Sequence, residues 1–331
     1  MCAKPGCEQV QRTVLFDHLV GNGRPSRVVK SSTLAALRSI TSSNVLGSWA
    51  GELDDQFMRL LKRLLQRLLI LGLGIFSVWL IVFVFELVDR RLPWILALGI
   101  AYGVGAYIIL PHAVRMGLKV LKRNRVPSFA ITGDGLPGDP VNVALLGTLQ
   151  QLRTAFANAG WSEADRLGLI SSWRMIRAFV FNKPYATAPF STLYLFGRGQ
   201  DIGFQKAIDN SPRKRHHVRF WAMSLAHAED TLGTADFWRN TDRPPEGAHV
   251  LWVGAGTKDT GFSLTHLTFQ VTHATDSDTN VERDYIVAEL LRNQVIKDVM
   301  SYQAGQRLPR VNHYITDGQI TLASLAARIL T

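Results

Sequence analysis

The chain has 331 residues, 47% of them hydrophobic, and a formal net charge of +11, which is long enough for two domains or more. The charge is uneven: residues 1–127 hold 17 Lys and Arg against 7 Asp and Glu, and residues 128–331 hold 20 against 19. A nucleic-acid-binding domain carries its own cationic excess, so the nearly neutral back of the chain argues against nucleic acid as a partner.

Residues 1–50 are polar and broken by Gly21, Gly23 and Pro25. They read as a loose or disordered segment. The two cysteines, Cys2 and Cys7, both fall there. They make no disulfide framework and no paired CxxC zinc signature, and they fit a reducing compartment. No metal and no cofactor is expected.

From Leu68 to Phe85 the sequence is LLILGLGIFSVWLIVFVF, without a charge. Eighteen or more apolar residues mark a helix able to cross a bilayer. A second run, Pro93 to Pro111, follows after a linker, Val88 to Leu92, that allows only a tight hairpin. Residues 51–126 are thus expected to form a transmembrane hairpin with basic flanks. Arg59, Lys62, Arg63 and Arg67 precede the first run, and Arg115, Lys119, Lys122, Arg123 and Arg125 follow the second. The loop has only Arg90 and Arg91. This asymmetry puts both termini on the cytoplasmic side of the inner membrane. The flanking cations can reach anionic headgroups, at about 1 kcal/mol each. Gly99 and Gly103 form a GxxxG pair, which either admits a close helix or reflects ordinary glycine usage in membrane helices.

Residues 127–331 are expected to form a soluble domain, opening with a Gly- and Pro-rich linker from Pro127 to Pro140. Val141 to Gly147 reads as a buried strand. Thr148 can cap a helix that closes at Gly160, and a second helix covers Leu169 to Phe181. Ser191 to Gly197 turns at "GRGQD" into IGFQKAI, and HHVRFWAMS is the next strand. "HVLWVGAGT" and "LTHLTFQVTH" form a hairpin around "DTGF", with Gly254, Gly256 and Gly261 serving turns. VERDYIVAELLRN is a helix, Val295 to Tyr302 a strand, and "ITDGQITLAS" a hairpin on Asp317-Gly318. Helices and hairpins mix without a βαβ rhythm, so the fold class is α+β, with a mostly antiparallel or mixed sheet packed by helices. No G-x-G-x-x-G follows a strand, and no P-loop lysine is present.

Two polar clusters are candidate sites. "SPRKRHHVRFW" places Arg213, Lys214, Arg215 and Arg219 around His216 and His217. Side chains alternate along a strand, so His216, Val218 and Phe220 share one face and His217, Arg219 and Trp221 the other. The two histidines cannot clasp one metal ion. The cations suit a phosphate or other anionic ligand, with a histidine as acid or base. The plain alternative is a solvated strand end with charge pairs. In "THATDSDTNVERD", His273 with Asp276 or Asp278 can form an acid–base pair, and Arg283 can bind an anion. The D-x-D-x-N spacing is not an EF-hand, because Val281 and Val287 stand where glycine and glutamate are required. Capping of the next helix by Asp278 or Asn280 is the structural alternative. The five tryptophans Trp161, Trp173, Trp221, Trp238 and Trp252 read as core or as a membrane belt.

From Gly138 to Arg292, the strings "GDPVNVALLGT", "AGWSEAD", "NKPYATAPFSTLYLFGRGQD", "DNSPRKRHHVRFW", "LWVGAGTKDTGF" and "THATDSDTNVERD" resemble the LssY C-terminal domain family. The resemblance implies a bacterial envelope-associated domain of unresolved function, named for a secretion-system component. Relatives of this kind are often joined to membrane phosphatase-like or DedA-like modules, and the chain has neither a P-S-G-H string nor an S-R-x-x-x-x-x-H string to carry over such an activity.

Three functions fit. The first is a membrane-anchored domain binding an anionic or phosphate-bearing ligand through Arg213, Lys214, Arg215, His216, Arg219 and Arg283. The second is a tethered, phosphoesterase-like hydrolase using His217, His273 and Asp276. The third is a scaffold component of an envelope or secretion assembly. The expected partners are the bilayer, its anionic headgroups and other envelope proteins.

Overall fold

A computed structural model describes residues 43–121, 126–181, 183–209, 211, 213–223, 244, 245, 247–264, 268, 271–303 and 314–326. The segment before residue 43, the flanking Lys122, Arg123 and Arg125, and Trp238 lie outside the described residues. So do the side chains of Arg59 and Lys62. The chain divides into two compact units, Met1–Ala101 and Tyr102–Thr331.

In the first unit, helix α1 runs Ser43–Asp89. A turn at Arg90–Pro93, closed by the Arg91 and Leu92 amides donating to the Val88 carbonyl, leads to α2, Trp94–Val104. The second helix continues through a π-helical turn, Gly105–Ile109, into α3, Leu110–Val120. Arg63–Asp89 and Trp94–Val120 are each long and apolar enough to cross a membrane. Their large apolar side chains, such as Leu71, Ile75, Trp79 and Ile95, are exposed. Among the described residues, a Cβ added at Gly99 or Gly103 would meet no atom within 4 Å, so neither glycine admits a close neighbour there.

In the second unit, α3 belongs to the soluble domain by contact. Lys119 is buried, and its backbone and side chain lie against Gly197. Arg115 lies near enough to Tyr194 to act on it electrostatically. Two of the cations expected to reach headgroups are therefore turned toward the protein. Further up the helix, the Tyr102 hydroxyl donates to the Thr268 carbonyl at 2.6 Å.

The stretch from Pro127 to Pro140, expected as a linker, contains two strands. β1 (Phe129–Ile131) and β2 (Pro137–Pro140) join β5 (Tyr194–Leu195) and β6 (Arg198–Gly199) in a small sheet of order β2-β1-β5-β6. The β5–β6 turn falls at Phe196-Gly197, ahead of the expected "GRGQD". Both residues have positive φ, as a two-residue hairpin turn requires.

The larger, mixed sheet has the order β11-β12-β3-β9-β8-β7-β4. Its strands are β3 (Val143–Gly147), β4 (Ser162–Glu163), β7 (Ile202–Ala207), β8 (Arg215–Met223), β9 (Val250–Leu264), β11 (Ile296–Gln303) and β12 (Gln319–Leu325). Only the β12–β3 pair is parallel. β9 runs straight through "DTGF", where a turn was expected, and its antiparallel partner β10 (Val271–Thr275) follows later. The hairpin expected on Asp317-Gly318 is also absent. Ile315 pairs in parallel with Asp278 instead, and β12 starts at Gln319.

β3 and β10 share one edge of β9, and Asn142 fills the fork between them. Its side-chain amide donates to the Gly256 carbonyl at 2.8 Å and accepts from the Gly256 amide at 2.9 Å. The side chain thus continues the ladder where the β3 backbone has left it.

Helices α4 (Leu149–Asn158) and α6 (Thr279–Arg292) cover one face of this sheet, and α5 (Leu169–Val180) lies between β4 and β5 in the chain. α4 begins in a capping box: the Gln151 amide donates to Thr148 Oγ1, and the Thr148 amide to Gln151 Oε1. Such a cap stabilises by about 1 kcal/mol. α6 is capped by Asp278, which accepts from the Asn280 and Val281 amides. The core under the helices holds Leu145, Leu152, Phe156, Phe204, Val218, Phe220, Trp252, Ile286 and Leu290. Phe156 stacks on Phe204 at 4.3 Å and meets Phe220 and Trp161 edge-on.

Gly254 and Gly256 sit inside β9 and serve no turn. A Cβ on Gly254 would overlap the Phe220 ring, and one on Gly256 would overlap Ile286 of α6. A Cβ at Gly261 would meet nothing within 4 Å. Gly256→Ala is therefore expected to cost about 1–3 kcal/mol, as overpacking does. Gly261→Ala should change stability little. Thermal denaturation of the two variants in detergent checks the contrast.

Candidate functional site

Pairing of β8 with β7 and β9 sorts its side chains. His216 lies on the helix-covered face, where Nδ1 contacts Glu282 Oε2 at 2.8 Å and the ring stacks on Tyr285 at 4.0 Å. Arg215, His217, Arg219 and Trp221 lie on the other face. Directly across from them stand Asp259, Thr257, Ala255 and Val253 of β9. On the other side, His217 faces Gln205 and Arg219 faces Gly203 of β7.

This second face is polar, and it is sealed. Arg215, His217, Arg219, Gln205, Thr257, Asp259 and Asp139 are all buried, His217 to 1% and Thr257 to 0% exposure. Arg215 Nε donates to Asp259 Oδ2 at 2.7 Å, and its Nη1 donates to Gln205 Oε1 and the Ala188 carbonyl. Arg219 Nη1 donates to Asp139 Oδ2, which β2 of the small sheet supplies. The other Asp139 oxygen accepts from the Tyr314 hydroxyl at 3.2 Å, and that hydroxyl lies 2.9 Å from Thr275 Oγ1. Phe190 closes the face. Its ring lies 5.1 Å from His217, with the guanidinium carbons of Arg215 and Arg219 4.8 and 4.9 Å from its centre. Gly203 makes room for that ring, which a Cβ there would overlap.

His217 sits at the centre of this network. Nε2 is 2.6 Å from Arg219 Nη1 and 2.9 Å from Thr257 Oγ1. Arginine only donates, so Nε2 must be the accepting nitrogen. The ring proton therefore sits on Nδ1, which lies 3.3 Å from Asp259 Oδ1 without a hydrogen bond to it. A carboxylate, an imidazole and a hydroxyl thus lie side by side: Asp259, His217, Thr257. Among the described residues, His217 Nδ1, Arg219 Nε and Trp221 Nε1 are buried donors with no acceptor. Buried donors of this kind are rare enough to call for a ligand, a water or a function.

Electrostatics follows from the same packing. Burial pushes the Asp259 carboxyl up, but His217, Arg215 and His273 outweigh it and hold it at about 2. Burial raises Asp139 as well, and Arg219 and His217 overcome this to leave it below its usual range. Tyr314 is pushed up by burial and then by the Asp139 carboxylate. His273, half-buried on β10, falls to about 4 through burial and through the charges of Arg215, His217 and Arg219, against the pull of Asp259.

The sequence candidates separate accordingly. Arg215, His217, Arg219 and His273 converge on this face. Arg213 and Lys214 are exposed in the turn before β8. Asp276 shapes the turn into α6, accepting from the Asp278 amide while its own amide donates to the Lys258 carbonyl. Arg283 donates to Asp284 and Asp317. The sequence reading did not identify Asp139, Gln205, Thr257, Asp259 or Tyr314. Strand alternation would have put Thr257 and Asp259 on one face had "DTGF" been read as strand. Among the described residues no cluster of three or more His, Cys, Asp or Glu could hold a metal ion.

The half-buried His273 predicts a pH dependence. Folding lowers it from 6.5 to about 4, so the unfolded chain takes up a proton within that window while the folded chain does not. Its stabilising contribution is complete above pH 6.5 and drains away as pH falls toward 4. The thermal midpoint of the chain in detergent should drop across that window, and the drop should be smaller in His273→Gln.

A family model described as LssY C-terminus matches residues 123–320. No curated protein and no solved structure is significantly similar to the chain. The match takes in more than half of the sequence and every residue of the buried network, from Asp139 to Tyr314. The chain belongs to the LssY C-terminus family.

Proposed function

We propose that the protein is a membrane-anchored hydrolase of the bacterial envelope, acting on phosphate or carboxylate esters at an acid–base centre built on His217. The observation that carries this reading is the His217 Nε2 contact at 2.9 Å with the Thr257 hydroxyl, with the Asp259 carboxylate 3.3 Å from Nδ1. A hydroxyl within reach of a base is the arrangement that activates a nucleophile, and closing of the Nδ1–Asp259 gap in the substrate complex would orient the base. His217 would take the Thr257 proton as Oγ1 attacks the ester, then return it to the leaving oxygen. Water would release the acylated or phosphorylated threonine in a second step. Arg219 Nε and Trp221 Nε1, donors without an acceptor, are suited to the charge that develops on the attacked group.

The anionic-ligand reading of the same cations finds less support. Arg215 and Arg219 are each paired with a buried carboxylate. Two guanidinium groups and two carboxylates balance, and an added anion would have to displace one of them. A non-catalytic binding or scaffold role is favoured by one observation, the complete burial of Thr257 and His217. Placement in the inner membrane with both termini cytoplasmic rests on the two apolar helices and their cationic flanks.

The test is turnover of p-nitrophenyl phosphate and p-nitrophenyl butyrate by the full chain in proteoliposomes. Thr257→Val and His217→Gln should each lower it by about 10²–10⁴-fold, with unchanged far-ultraviolet circular dichroism. A wild-type chain with no turnover of either ester would remove the hydrolase reading and leave the binding or scaffold role.

A further inference from the structure

Helix α5, LISSWRMIRAFV, is turned inside out for a soluble domain. Leu169 is 92% exposed, Ile170 72%, Trp173 62% and Val180 62%, and Ile176 and Phe181 are also open. Ala178 is buried, and Ser171, Ser172 and Met175 are half-buried. Among the described side chains of the helix, mostly small ones thus face the protein, and most of the large apolar ones face away. At the α-helical repeat, Leu169, Trp173, Ile176 and Val180 fall within an arc of about 60°. A soluble helix does the reverse, burying its apolar stripe and exposing its polar side.

The polar groups beside this stripe share one sign. Arg166, Arg174, Arg177 and Lys183 are exposed, and no acid occurs between Arg166 and Lys183. Asp165, just before, is engaged by the Tyr185 hydroxyl at 2.6 Å. Tryptophan with aliphatic residues on one side and arginines along the border is the composition of a helix that lies in a membrane interface. The helix is about 18 Å long, too short to span. A protein partner needs no such uniform cationic border, whereas an anionic leaflet attracts each of these charges.

We infer that α5 lies flat in the interface of an anionic bilayer, with Leu169, Trp173, Ile176 and Val180 in the acyl boundary and Arg174 and Arg177 among the headgroups. The inference rests on the membrane-anchored reading above and adds a second attachment, made by the soluble domain itself. It brings the domain to the surface from which an ester-bearing lipid would come.

The experiment uses the full chain with Cys2→Ser and Cys7→Ser. Single cysteines are introduced by Trp173→Cys, Ile176→Cys, Gln150→Cys or Ile75→Cys, and each is labelled with an environment-sensitive fluorophore. Vesicles contain phosphatidylcholine with or without phosphatidylglycerol. Labels at 173 and 176 should be quenched by a lipid nitroxide placed shallow in the acyl chain. In phosphatidylglycerol vesicles they should be about fivefold less open to aqueous iodide than the label at 150. Arg174→Gln with Arg177→Gln should abolish the dependence on phosphatidylglycerol. The label at 75, on α1, reports the anchor through a deep nitroxide. Quenching at 75 with iodide-open labels at 173 and 176 overturns the inference and leaves the anchor standing. No quenching at 75 removes the anchor and the inference with it. Shielding from iodide at 173 and 176 without nitroxide quenching means that protein covers the helix, which also overturns the inference.

Discussion

Two buried ion pairs, Arg215 with Asp259 and Arg219 with Asp139, hold the soluble domain to one arrangement. Neither arginine could stay buried under the sheet without its carboxylate, because an unpaired buried charge costs several kcal/mol. The pairs bring together parts of the chain far apart in sequence: β8 with β9, and β8 with a strand of the small sheet. They also demand a cover that excludes water, which Phe190 provides. Gly203 must then lack a side chain, since any Cβ there would lift that ring. The network therefore fixes sheet order, register and the identity of a glycine on a third strand.

The same network explains why the buried polar layer centres on His217 and excludes His216. They are consecutive on the strand, and alternation alone puts one in a sealed polar layer and the other against Glu282 and Tyr285 under α6. Two histidines adjacent in sequence have separate neighbours, and either can change with little effect on the other's contacts.

Local signals were readable in the sequence. The cap at Thr148, the α6 helix, the split of His216 from His217 and the two apolar helices all follow from patterns a few residues long. What was not legible depended on register between distant strands. Asp139 sat in a Gly- and Pro-rich stretch that looks like a linker, because three- and four-residue strands leave no periodicity to read. Asp259 and Thr257 lay in a run whose glycines suggested a turn, although those at 254 and 256 serve close packing against Phe220 and Ile286. Asp276 looked like the partner of His273 by proximity in sequence, whereas pairing of β10 with β9 brings Asp259 near that ring. α5 was legible as a helix, but only its exposure tells which way its apolar side faces.

The hydrogen bond from the Tyr102 hydroxyl to the Thr268 carbonyl joins residues far apart in the chain. With Lys119 packed against Gly197, it gives the helical stretch from Tyr102 to Lys119 two attachments to the sheet domain, one near each end. Two attachments about 26 Å apart along a helix hold it as a splint is held, so that it resists swivelling about either one.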